Sequence, residues 1–313
     1  MFIKSIKYIV FIGYSCLAVF PLASCQKRGP DDKFKVDFSR REEIPRLAPD
    51  SQMPLAAAVS ALISPQENFF YYNRIFDYVS EKIGRKIIYK QRKTYREVND
   101  LLSQQDLDFA FIGAGAYVEA KKEFDAQILA VPQIDQKAES YGYIIVRKTS
   151  NLAEIEDLKG RSFAFTDPLS NTGCIYPTYL VKVLRRTPEK FFSRVIFTYA
   201  HDYSIQAVAG GIVDAAGVNG LIFDYIQKIH PEKTAAVKII KKSMPFGMPP
   251  VVVNPKIDPN LKNRLQKILL NMGDDAEGRA ILLPLGIERF VQGNDDEYGF
   301  IRAMNSFISD KSS

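Results

Sequence analysis

Ser162-Phe163-Ala164-Phe165-Thr166-Asp167-Pro168-Leu169-Ser170-Asn171-Thr172-Gly173 is the stretch whose reading decides the fold. Residues 162–166 form an apolar, aromatic-rich run of strand length. Asp167-Pro168 breaks it, because proline cannot donate to a strand ladder. Ser170, Asn171 and Thr172 then offer capping groups, and a helix is expected to about Leu184. The segment therefore reads strand, turn, helix.

The same unit repeats on both sides. Downstream, Val195–Tyr199, Val213–Val218 and Val237–Lys241 read as strands, with helices expected from His201 to Val208 and on to Ile229. Pro249–Val253 reads as a return crossing, and the tail is helical over Leu261–Met272, Ala276–Leu285 and Tyr298–Ser309. Upstream, Leu55–Ile63 is a continuous apolar run suited to a buried strand. Ser64-Pro65-Gln66-Glu67 then carries the marks of a capping box with proline at the first helical position. Phe69, Tyr72, Phe76, Val79 and Ile83 lie on one face of the helix that Gly84 ends. Lys86–Gln91, Leu107–Ile112, Gln127–Ile134 and Tyr141–Arg147 read as further strands. Thr94-Tyr95-Arg96-Glu97 opens a second helix, and Gly113-Ala114-Gly115-Ala116 a third. Alternation of this kind predicts an α/β chain of two lobes, each a mostly parallel sheet flanked by helices.

At the amino end, Lys4 and Lys7 precede the apolar run Tyr8–Phe20, followed by Leu22-Ala23-Ser24-Cys25. A basic start, a short apolar stretch and small residues describe a secretory signal over residues 1–24. Leu-Ala-Ser-Cys also resembles the bacterial lipobox, which implies cleavage before Cys25 and acylation of that residue. Removal of Lys4 and Lys7 would take the net charge from +6 to +4 (6 − 2). Cys25 and Cys174 would remain, with Cys25 acylated, so no disulfide is expected. Residues 26–52, with mixed charge and three prolines, read as a tether that leads to a fold starting near Met53.

Several function classes are excluded. The charges are scattered, with no basic block suited to nucleic acid. There is no Gly-x-x-x-x-Gly-Lys-Ser/Thr phosphate loop, no Gly-x-Ser-x-Gly elbow and no run with metal-ligand spacing. Ser170 with His201 and Asp167, or Cys174 with His201, are the groupings a hydrolase would need. Cys174 reads equally as an inward thiol on a helix, and Asp167 as an Asx turn or an acceptor for a ligand proton.

In open α/β sheets ligands sit at strand-to-helix turns. Two such turns stand out, Gly113–Ala116 in the first half and Ser170–Gly173 in the second. Helix starts present unpaired N–H groups and a partial positive charge, so an oxyanion shared between the two turns is the natural partner. Plain N-caps would account for either turn alone. His201 holds the equivalent position after Tyr199, Asn219 ends a strand opposite, and Tyr95 and Tyr141 lie where a cleft would open.

Phe163–Gly173, Tyr199-Ala200-His201-Asp202, Gly211-Ile212-Val213-Asp214-Ala215-Ala216, Asp275-Ala276-Glu277-Gly278-Arg279-Ala280-Ile281-Leu282 and Asp108-Phe109-Ala110-Phe111-Ile112-Gly113 occur in this order. Together they resemble the phosphonate, phosphite and phosphate substrate-binding proteins of ABC importers, from about Leu55 to Met304. The resemblance implies the type II periplasmic-binding fold, with lobes at 53–143 plus 249–313 and at 144–248. It places Tyr95, Tyr141, Ser170, Asn171, Thr172 and His201 in the ligand shell. Asn171 and Thr172 depart from the family's usual Thr and Ser, and Asn219 stands where an acid is common, which argues against an aminoalkylphosphonate. The implied protein is a lipid-anchored, monomeric extracytoplasmic receptor without a cofactor. It would close on a small phosphorus oxyanion and dock on a membrane permease, with no bond made or broken. A sensor module for a signalling partner and a secreted hydrolase are the alternatives.

Overall fold

The computed structural model describes residues 53–310 except 63. The expected signal segment, Cys25 and the tether lie outside the described residues. In chain order the strands and helices are β1 (Leu55–Val59), α1 (Pro65–Ile83), β2 (Ile87–Tyr89), α2 (Tyr95–Ser103), β3 (Phe109–Phe111), α3 (Ala114–Phe124), β4 (Gln127–Gln133), β5 (Glu139–Ser140), β6 (Gly142–Arg147) and β7 (Ser162–Phe165). There follow α4 (Tyr176–Val183), α5 (Pro188–Phe191), β8 (Arg194–Phe197), α6 (His201–Ala209), β9 (Ala215–Asn219), α7 (Gly220–Ile229), α8 (Pro231–Thr234) and β10 (Val237–Lys242). The chain ends with β11 (Phe246–Gly247), β12 (Val251–Val253), α9 (Pro259–Asn271), α10 (Ala276–Leu282), β13 (Arg289–Val291) and α11 (Gly299–Ser309).

Two sheets carry the architecture. One has the order β13-β4-β12-β3-β1-β2, the other β10-β6-β9-β7-β8. β1, β2 and β3 pair in parallel, as do β7, β8 and β9. The antiparallel strands are those where the chain arrives, returns or ends: β4, β12 and β13 in the first sheet, β6 and β10 in the second. The chain passes between sheets twice, and the two crossing segments pair with each other as β5 and β11, Phe246 opposite Ser140.

Local sequence explains most boundaries. The Thr94 hydroxyl accepts the Glu97 N–H and Glu97 bonds back to the Thr94 N–H, so the expected capping box forms. Asp258 caps α9 by accepting the Leu261 N–H. Gly84, in the left-handed region at φ +71°, ends α1. Phe76, Val79 and Ile83 are buried on the expected face of α1 and join a core with β1, β3, α9 and α10. A second cluster continues from the first sheet to the second through Tyr95, Tyr117, Ile144, Phe163, Tyr176 and Tyr298.

Three expectations are corrected. The apolar run from Leu55 forms a strand only to Val59; beyond it the chain turns, with the Leu62 N–H on the Ser60 carbonyl. The Ser64 side chain makes no cap bond; its hydroxyl lies against the Asp202 carboxylate, which also accepts the Ser64 N–H. The helix after Gly173 begins as a widened turn, Asn171–Ile175, in which both the Cys174 and Ile175 N–H groups bond to the Ser170 carbonyl.

Candidate functional site

Tyr95, Gly113, Ala114, Ser170, Asn171, Thr172, His201 and Asn219 all line one small cavity of about 10 Å³ between the two sheets, together with Leu62, Ser140 and Pro249. The contributors are the starts of α2 and α3 on one side. On the other are the widened turn before α4, the start of α6 and the junction of β9 with α7. The carboxyl ends of parallel strands from both sheets thus converge, as open α/β sheets dictate.

Tyr141 is the exception. Its hydroxyl donates to Glu139 at 3.0 Å, and the Lys242 ammonium lies 3.9 Å from its ring centre. Adjacent residues of an extended chain point to opposite sides, so the neighbouring Ser140 lines the cavity instead. Sequence reasoning missed Ser140, Leu62 and Pro249. Ser140 was signalled only by its adjacency to Tyr141.

The cavity is rich in donors. The Ser170 oxygen accepts the Gly173 N–H at 3.1 Å, which leaves its own proton free to be given. His201 Nδ1 accepts the Asn219 N–H at 3.1 Å, so the neutral ring carries its proton on Nε2. His201 is 1% exposed, and burial pushes its pKa down to about 3. Asn219 Oδ1 caps α7 by accepting from Leu221 and Ile222, so its remaining polar group is the Nδ2 donor. The Tyr95 hydroxyl lies beside Ser170 with no partner in hydrogen-bond geometry, and both side-chain polar atoms of Asn171 are also buried and unpartnered. An unpaired buried polar group costs about 1–3 kcal/mol, and such groups converging on one space mark a place built to receive another molecule. No lysine or arginine lines the cavity among the described residues.

The same residues hold the two sides together. Asp167 Oδ2 accepts the Tyr95 N–H at 3.0 Å across the cleft, and its Oδ1 accepts the Leu169 N–H at 2.8 Å as an Asx turn. Asp202 Oδ1 accepts the Ser64 N–H at 3.0 Å, and the His201 N–H donates to the Leu62 carbonyl at 3.1 Å. Burial raises both carboxyls above the ordinary Asp value. Gly115 in α3 lies flat against the opposing turn: a Cβ there would sit 2.3 Å from the Leu169 carbonyl oxygen.

These engagements dismantle the hydrolase groupings. Asp167 and His201 Nδ1 both bind backbone N–H groups, so neither orients the other. Burial pushes the Cys174 thiol up to about 12, which keeps it protonated. No group of three His, Cys, Asp or Glu side chains able to hold a metal occurs among the described residues. Nor is any described helix long and apolar enough to cross a membrane.

Residues 58–298 match the family described as "ABC transporter, phosphonate, periplasmic substrate-binding protein". The chain is 26% identical over 234 residues to the phosphonates-binding periplasmic protein of Escherichia coli K12, covering 73% of this chain and 69% of that one. A solved binding-protein component of an ABC phosphonate transporter from Pseudomonas aeruginosa superposes with a TM-score of 0.77 at 24% identity, covering 82% of this chain and 87% of that one. The PhnD1 protein of Prochlorococcus marinus, solved in complex with methylphosphonate, gives a TM-score of 0.72 at 19% identity over 81% of this chain and 97% of that one. At these identities the two structures speak for the shared fold.

Proposed function

Because the chain belongs to the family of periplasmic substrate-binding proteins of phosphonate ABC transporters, we infer that it captures a small phosphorus oxyanion (a phosphonate, phosphite or phosphate) and presents it to a membrane permease. One observation carries this reading: buried donors from both sides converge on a single compact cavity, and the Tyr95 hydroxyl and Asn171 amide there lack any partner. Tyr95, Ser170, Thr172 and His201 donate O–H or N–H, Asn171 and Asn219 donate through Nδ2, and the backbone at Gly113 and Ala114 opens α3 toward the anion. Asn171 Oδ1 is the acceptor for a P–OH proton. Ser140 adds a hydroxyl.

The mechanism is lobe closure. We assign one lobe to residues 53–143 plus 249–313 and the other to 144–248, with the β5–β11 ribbon as hinge. An oxyanion bridging the start of α3 and the turn before α4 favours the closed arrangement, because it binds both lobes only there. Ser170→Ala and His201→Ala are each expected to weaken phosphite or methylphosphonate binding at least tenfold, about 1.4 kcal/mol, by calorimetry. Wild-type affinity in both variants would refute the site.

The protein acts as a lipid-anchored monomer outside the cytoplasm, held through Cys25. Dual acylation gives an anchor that one chain alone does not. Cys25→Ser is expected to move the protein from the membrane fraction to the soluble one; persistence in the membrane fraction would assign the anchor to another segment.

A further inference from the structure

Beside the polar cavity lies a second space of about 90 Å³ whose character is the opposite. Phe111, Ile134, Ile222, Met248 and Ile287 contribute to its walls, and no charged side chain lines it among the described residues. It too draws on both sheets: β3 and the β12 approach on one side, the first turns of α7 on the other. The two spaces share Leu62, Asn219 and Pro249 as lining residues, so a group held in the polar cavity is within a side chain's width of the apolar one.

We propose that the physiological ligand is an organophosphonate whose carbon-bound substituent is a short apolar chain, the phosphoryl head in the polar cavity and the chain in the apolar space. This rests on the oxyanion reading above and narrows it. A bare oxyanion would leave the apolar space unused by the ligand. An aminoalkyl substituent would bring an ammonium to walls that offer it no carboxylate, at the cost of stripping its water. Asn219 cannot supply the missing charge, and its Oδ1 is already committed to the α7 N–H groups.

Calorimetric titration of the full chain with phosphite and with methyl-, ethyl-, n-propyl- and 2-aminoethylphosphonate tests the proposal. Affinity is expected to rise about fourfold per buried methylene, hence about fifteenfold from methyl to n-propyl. The 2-aminoethyl compound, which has the same number of heavy atoms in its chain as n-propyl, is expected to bind at least tenfold more weakly than it. If phosphite and methylphosphonate bind but affinity does not grow with chain length, or if the ammonium compound matches n-propyl, this inference fails and the oxyanion site survives. If neither phosphite nor methylphosphonate binds, the oxyanion reading fails and takes the inference with it.

Discussion

Gly115→Ala is expected to lower oxyanion affinity at least a hundredfold, because closure on the anion as proposed above requires α3 to dock flat against the opposing turn. The added methyl would lie 2.3 Å from the Leu169 carbonyl oxygen and 2.8 Å from both the Asn171 N and the Ile175 Cδ1. Two of these three neighbours are backbone atoms, which cannot rotate out of the way as the end of a side chain would. Within α3 itself alanine is the better residue, by roughly 0.5–1 kcal/mol. The penalty therefore falls on the docking of α3 against the opposing turn, and a hundredfold loss corresponds to about 2.8 kcal/mol. Calorimetry and thermal melting with and without methylphosphonate separate the two effects. A variant that binds within threefold of wild type would mean that the close approach of Gly115 is not needed for capture.

The second large effect concerns pH. An unfolded histidine titrates near 6.5, whereas burial holds His201 neutral to about 3. Its folded pKa is depressed, so its stabilising contribution is complete above 6.5 and is lost as pH falls toward 3. Over the whole window this amounts to roughly 5 kcal/mol. Asp167 and Asp202, whose carboxyls burial raises, act in the opposite sense. Their contribution is present below the unfolded Asp value and fades as pH rises through the folded one. A comparison with His201→Gln removes these opposing groups, since they are common to both proteins. Between pH 7 and pH 4.5 the wild type is expected to lose about 2.5 kcal/mol more stability in urea unfolding than the variant does. Equal losses would show that His201 is not held neutral by burial.

Much of this arrangement was readable because it is local. The Thr94–Glu97 box, the Asp258 cap and the stop at Gly84 each involve residues a few positions apart, and all three form. The two strand-to-helix turns that meet at the cavity were legible for the same reason: each is a strand end followed by small or hydroxyl residues at a helix start. What escaped was set by distance along the chain. Asp167 reaches a partner 72 positions away and Asp202 one 138 away, and no spacing rule announces either. β13 is three residues long, and its first residue, Arg289, is charged and exposed, so only its pairing with β4 makes it a strand. The exchange of Tyr141 for Ser140 turns on the phase of one residue at the crossing between sheets, where β5 is only two residues long and too short for its alternation to show in the sequence.

Among the described residues no lysine or arginine lines the polar cavity, and this has an electrical consequence. Hydroxyl, amide and neutral imidazole groups hold a guest without cancelling its charge. On the proposed reading, a filled receptor would be more negative than an empty one by the full charge of its cargo, and that surplus would lie between the two sheets rather than on the outer surface. A permease meeting the filled form would encounter not only a different shape but a different field.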